Sequence, residues 1–296
     1  MSYARSLSLA LASACLLAAV PAAAGPPPPA GWTDGYVAAN GIRLHYWRTG
    51  GAKPPLVLAH GSSDDALCWT HLAKELTDRY DVIMFDARGH GLSDPPTAAD
   101  PPDAQVEDLA GLIKALKLEK PILMGHSMGS ASVAWFAAKY PDVPRAVILE
   151  DPALVRPAAP AATGVTPPSV DERRAQVLAR NNMSEAELVA SCLKNSPKWG
   201  QAECETWAPS KRRHHPDTAR VNNALRPPMR ELLPKISAPT LILKADAQGE
   251  LRTQNEEVAK LLPKGRLVHI AGAGHNVRRE NKAQTVETLN AFLAGS

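Results

Sequence analysis

Short apolar runs alternate with helix-spaced patterns along most of this chain. Tyr36 to Ala38 and Ile42 to Trp47 flank Asn40-Gly41, a hairpin turn pair, so they read as two paired strands. Residues 56–59 and 82–85 are near-continuous apolar runs, the mark of strands buried on both faces. Trp69, Leu72, Ala73 and Leu76 recur at helical spacing between them. Val106, Leu109, Ile113 and Leu116 mark one face of a further helix. A strand at Ile122, a helix after Ser127 and a strand over residues 146–149 continue the rhythm. It breaks between Pro152 and Pro239 and then resumes. Residues 240–244 and 267–270 read as strands, residues 255–262 and 282–293 as helices. Such alternation predicts an α/β fold with a mostly parallel sheet and helices on both faces. No internal repeat is visible.

The interruption, residues 153–237, reads as an inserted helical cap. Ser184 to Glu187 form a capping box that opens a helix carrying Cys192. Residues 157–168 are rich in Ala, Pro and Thr and read as a mobile loop. The expected organisation is a signal peptide at 1–24, a Pro-rich tether at 25–35, core at 36–152, cap at 153–237 and core again at 238–296.

Length and composition add a few constraints. The chain has 296 residues, 45% of them hydrophobic, enough for one substantial core plus a lid. Its net charge is +3, with Lys and Arg spread along the chain. The dense basic run Lys211 to His215 reads as a solvated surface turn, because no aromatic interleaving accompanies it. No nucleic-acid partner is expected. Arg5, the Ala/Leu-rich stretch 7–20 and Ala22-Ala23-Ala24 make a secretory signal cut after Ala24. The apolar stretch falls short of the ~20 residues that span a bilayer, and a lipid anchor at Cys15 is the weaker alternative. A secreted or periplasmic protein with no membrane contact after processing is the expectation. In an oxidising compartment Cys192 and Cys204 are expected to pair, leaving Cys68 as a buried thiol.

The candidate chemistry starts at Gly125-His126-Ser127-Met128-Gly129. Gly-x-Ser-x-Gly between a strand and a helix is a nucleophile elbow, a sharp turn that aims the serine hydroxyl into a site. Its two glycines allow the backbone to pack closely there. His275, in a Gly-rich loop after the last strand, is the candidate base for Ser127. The Met128 N–H, just after the nucleophile, and the Ser62 N–H, in the His60-Gly61-Ser62-Ser63 loop, are candidate oxyanion donors. No metal-ligand spacing, phosphate loop or dinucleotide fingerprint is present, so no cofactor is implied.

In their order, His60-Gly61, Asp86 to Asp94, Gly125 to Gly129 and Gly272 to His275 resemble the motifs of the α/β-hydrolase superfamily. The likeness covers roughly residues 36–151 and 239–293, and the cap matches no motif. It implies an eight-stranded sheet with a helical cap, in an exported bacterial type of serine hydrolase. The charges of Asp86 to Asp94 are then structural, bracing the active-site rim. The resemblance places the third triad member in the loop after the seventh strand, yet that stretch reads Leu243-Lys244-Ala245-Asp246-Ala247-Gln248. Asp246 lies two residues early. A minority of relatives take the acid from the end of the sixth strand, where Asp151 stands with Glu150 beside it. Chain order separates none of these. A serine at the elbow argues against dehalogenation and epoxide opening, both of which use Asp there.

The expected function is cleavage of a small-molecule carboxylic ester or lactone through an acyl-enzyme. Amidases and C–C bond hydrolases share the framework, and a ligand-binding sensor with a slow residual triad is the rival of another class. His60, Trp69, Trp199 and Trp207 are candidate pocket walls. Oligomeric state is not legible.

Overall fold

The computed structural model describes residues 26–155, 168–221 and 225–295. The signal peptide, Cys15, Gly25 of the tether and most of the Ala/Pro/Thr-rich stretch lie outside these residues. Eight strands form one sheet: β1 (Thr33–Ala39), β2 (Ile42–Arg48), β3 (Pro55–Ala59), β4 (Asp81–Phe85), β5 (Ile122–His126), β6 (Ala146–Glu150), β7 (Thr240–Ala245) and β8 (Gly265–Ile270). Their spatial order is β1-β2-β4-β3-β5-β6-β7-β8, with β2 antiparallel to both neighbours and β3 to β8 parallel. β1 starts at Thr33, so the Pro-rich tether is shorter than the sequence suggests. Asn40 (φ +48°) and Gly41 (φ +78°) make the β1–β2 turn, where left-handed backbone matches the strand twist.

The helices are α1 (Thr70–Lys74), α2 (Ala104–Ala115), α3 (Met128–Lys139), α4 (Val170–Asn181), α5 (Glu185–Asn195), α6 (Gly200–Arg212), α7 (Met229–Leu232), α8 (Gly249–Ala259), α9 (Val277–Glu280) and α10 (Lys282–Leu293). Successive strand side chains point to opposite faces, and the core divides accordingly. Val57 and Leu123 pack with α2 and α3 residues such as Leu109 and Phe136. Leu56, Leu58 and Met124 pack on the other face with Trp69, Leu72 and Leu289. The continuous apolar runs are thus strands covered on both sides.

α4 to α7 occupy the break between β6 and β7. The Ser184 capping box is formed, and Ser169 and Glu172 form a second one at the start of α4. Cys192 and Cys204 are bridged, tying α5 to α6. Closing a loop of 12 residues contributes about 3 kcal/mol through the unfolded chain. Cys68 is buried and free, and burial pushes its thiol far above the ordinary range, which leaves it inert.

The basic run at the end of α6 departs in part from expectation. Arg212 and Arg213 are exposed as expected, but Lys211 is 2% exposed and His214 is 6% exposed. Lys211 Nζ donates to Asp64 Oδ1 at 2.8 Å and to the Ser63 carbonyl at 2.6 Å. Arg279 Nη2 of α9 donates to Asp64 Oδ2 at 3.1 Å. Burial works against the Asp64 charge, yet Arg279, Lys211 and Arg278 hold its carboxyl well below the ordinary range. This buried ionic cluster fixes the inserted helices to the loop after β3. Among the described residues no helix is long and apolar enough to cross a membrane.

Candidate active site

β5 and β6 run in register, His126 opposite Glu150. Ser127 and Asp151 are the next residues on each strand, so both leave the same edge of the sheet side by side. Each has a left-handed backbone, φ +51° at Ser127 and φ +44° at Asp151. Such angles cost energy in a non-glycine residue and persist only where surrounding structure enforces them. Here the Ser127 N–H donates to the Glu150 carbonyl at 3.0 Å and the Asp151 N–H to the Leu243 carbonyl at 2.8 Å. The flanking glycines are sterically required. A Cβ at Gly125 would lie 2.3 Å from the Gly129 carbonyl oxygen, and one at Gly129 would lie 2.1 Å from that of Ala59.

His275 reaches this edge from the loop after β8. Its Nε2 is 2.9 Å from Ser127 Oγ, and its Nδ1 is 2.5 Å from Asp151 Oδ2. The loop is held at several points. Glu280 accepts from the N–H groups of Gly274 and Asn276, and Lys198 donates to the Gly272 carbonyl. His126 Nε2 donates to the His275 carbonyl at 3.0 Å, and burial lowers the His126 pKa to about 4, so its ring is neutral.

Of the three acids left open by sequence, the structure brings Asp151 to the imidazole. Asp246 is elsewhere: its Oδ2 accepts the Gly272 N–H at 2.9 Å, and its own N–H donates to Ala273. It holds the histidine loop through these two bonds, and the structure does not bring it to the His275 imidazole. The reason is geometric, because β7 ends at Ala245, one strand further from Ser127 than β6. Glu150 is fully buried and paired with Arg278 Nη1 at 2.8 Å. Asp151 Oδ1 receives Lys244 Nζ at 2.5 Å and the Ala245 N–H at 3.1 Å. Burial raises the Asp151 pKa, but the His275 and Lys244 contacts outweigh it and keep the carboxyl below its ordinary value. The hydrogen bond to Asp151 raises the His275 pKa above its ordinary value, against burial and the Lys244 charge.

A cavity of about 740 Å³ opens over Ser127 and His275, lined also by Ser62, Met128 and Asp151 and roofed by α4 through Arg173, Val177 and Arg180. Met128 is the first residue of α3, where backbone N–H groups lack intrahelical partners. The expected wall residues are not there. Trp69 is wholly buried beneath the Arg278 guanidinium, 3.9 Å from its ring centroid. Trp199 carries Arg279 at 4.4 Å and meets Trp207 edge-on, while Trp207 carries Lys211 at 4.6 Å. These rings are spent on the cations between cap and core. His60 is also buried, its Nδ1 donating to the Gly61 carbonyl and its Nε2 accepting the Ala87 N–H. It shapes the loop that carries Ser62. Asp86 accepts the Ala66 and Leu92 N–H groups, which agrees with a bracing role for its loop. Lys244, Arg180 and Arg226 face the cavity without having been singled out in the sequence. Arg180 and Arg226 sit in cap segments that match no motif, and only the chain's path over the sheet reveals them. Among the described residues no group of three or more His, Cys, Asp or Glu side chains is placed to hold a metal ion.

Comparison with known proteins agrees with this geometry. A model of the alpha/beta hydrolase family matches residues 56–288. N-formylmaleamate deformylase of Pseudomonas putida is 29% identical over 249 residues, covering 82% of this chain and 90% of that protein. The crystal structure of E-2-(acetamidomethylene)succinate hydrolase superposes with a TM-score of 0.72 at 25% identity, covering 89% of this chain and 99% of the other. A thermophilic esterase from Thermogutta terrifontis, solved with malate bound, gives a TM-score of 0.69 at 26% identity, covering 89% and 98%. The matched span runs from β3 into α10 and takes in the elbow, the β6 end and the histidine loop. The chain therefore belongs to the alpha/beta hydrolase family and is a hydrolase.

Proposed function

We propose that this protein is an exported serine hydrolase that cleaves a carboxylic ester or lactone through an acyl-enzyme. The observation that carries the reading is the unbroken chain of hydrogen bonds from Asp151 through His275 to Ser127. Ser127 Oγ attacks the carbonyl carbon while His275 Nε2 takes its proton. The carbonyl oxygen becomes an oxyanion facing the Ser62 and Met128 N–H groups, each worth about 3 kcal/mol in such a role. The C–O bond then breaks, the imidazolium returns its proton to the leaving oxygen, and water repeats the sequence on the acyl-enzyme. Asp151 holds His275 with its Nδ1 protonated and stabilises the imidazolium. The disulfide supports the export reading, since such bonds persist in oxidising compartments.

An amide substrate is the second reading, favoured by the N-formyl substrate in the deformylase's name. Matched ester, lactone and amide substrates decide between the two. Turnover of p-nitrophenyl esters or lactones well above that of the anilides is expected, and the reverse order would move the assignment to an amidase.

The pH profile follows from the sign of the His275 shift. Only neutral imidazole accepts the Ser127 proton, so activity is lost as pH falls through the His275 pKa. That pKa is raised, so the acid limb of kcat/KM should have its midpoint above the ordinary histidine value of 6.5. The Lys244 ammonium opposes the imidazolium, so Lys244→Met should move the midpoint higher still. A limb at or below 6.5, or one that Lys244→Met moves down, contradicts the assignment.

A further inference from the structure

The charges facing the catalytic cavity are unbalanced. Among the described residues that line it are Arg88, Arg173, Arg180, Arg226 and Lys244, with Asp151 the one carboxylate. Arg88 is paired with Asp100 and Asp108, and Lys244 with Asp151. Arg173 donates to the Pro168 and Ala219 carbonyls, at 2.6 and 3.0 Å, and so keeps its charge uncompensated by a carboxylate. Arg226 Nη2 donates to Gln105 Oε1 at 2.8 Å.

Arg180 is the telling residue. It projects from α4 into the cavity, and its guanidinium has no ion pair or side-chain hydrogen bond among the described residues. Burial is the one influence on its pKa, and it lowers it. Taking a guanidinium partly out of water without a counter-ion is unfavourable, so a fold keeps one there at a cost. A guanidinium offers a planar fork of donors that matches a carboxylate. Val177, Leu154 and Met229 line the same cavity and supply apolar surface within it.

We propose that the substrate is an acid: it carries, besides the scissile acyl group, a carboxylate that docks on Arg180, with an apolar spacer between the two. The proposal rests on the hydrolase reading for its catalytic end and on the cavity charges for its binding end. It makes Arg180 the residue that selects anionic over neutral acyl groups.

Two substrates that differ in one charge test it. Mono-4-nitrophenyl adipate carries a free carboxylate, and methyl 4-nitrophenyl adipate is its neutral counterpart. The kcat/KM ratio of acid to methyl ester should be about tenfold or more for the wild-type enzyme, the range of a charge-assisted pair. Arg180→Met should bring the ratio to about one, and Arg180→Lys should restore part of it. Binding is measured separately, by titrating monomethyl adipate calorimetrically into wild type and Arg180→Met. Tenfold weaker binding to Arg180→Met supports the carboxylate site even if neither ester is turned over, a result that would sink only the ester-hydrolase reading. Turnover of both esters at equal kcat/KM by the wild type, or a preference that survives in Arg180→Met, overturns the acid-substrate proposal and leaves the hydrolase standing.

Discussion

Ser127→Ala should lower ester turnover by about 10⁴- to 10⁶-fold, with the thermal midpoint and far-UV circular dichroism unchanged. The size follows from what is removed. Without Oγ no acyl-enzyme forms, and the imidazole at 2.9 Å has no hydroxyl to deprotonate. What survives is binding and the oxyanion donors, which act on water attack alone. The fold should tolerate the change because alanine keeps Cβ and meets the same φ of +51°. The backbone bond from residue 127 to the Glu150 carbonyl is likewise kept. Parallel assays of kcat/KM and thermal unfolding check both halves. Turnover within tenfold of wild type would remove Ser127 from the chemistry.

Asp151→Asn should cost about 10⁴-fold in kcat, whereas Asp246→Asn should cost less than about tenfold. The asparagine is nearly isosteric, so the effect is electronic. Asp151 Oδ2 sits 2.5 Å from His275 Nδ1 and requires a proton there. An amide group presents its own N–H instead and favours the tautomer with a protonated Nε2, which cannot accept from Ser127. The imidazolium also loses its counter-charge, and Lys244 loses its ion pair. At position 246 an asparagine carbonyl still accepts the Gly272 N–H, so the histidine loop keeps its brace. Steady-state kinetics on the two variants checks this. Equal losses, or a larger loss at 246, would reverse the roles given to the two aspartates.

The fold was legible because apolar runs buried on both faces have few alternative readings, and because Asn40-Gly41 and Ser184 to Glu187 announce a turn and a helix start locally. The serine and histidine were legible for a similar reason: each lies in a glycine-marked loop next to a strand. The acid was not. Asp151 and Asp246 both fall between Ser127 and His275 in chain order, and only the β5–β6 register puts one of them beside the elbow. The cap was read least well. α4 buries only Val177 and carries a polar surface, so its periodicity is faint. The places of Trp69 and Trp199 are not legible because their partners, Arg278 and Arg279, come from distant segments of the chain, whereas Trp207 meets Lys211 one turn along α6. Lys211 meets Asp64 across 147 residues, a pairing that no local pattern encodes.

The most direct measurement is covalent labelling with a fluorophosphonate, followed by peptide mapping. A hydroxyl activated by the 275 imidazole should take one phosphonyl group per chain, on Ser127, with loss of activity in step with labelling and greatly slowed labelling in His275→Ala. Full inactivation with Ser127 unmodified, or full activity in a protein labelled there, would contradict the account.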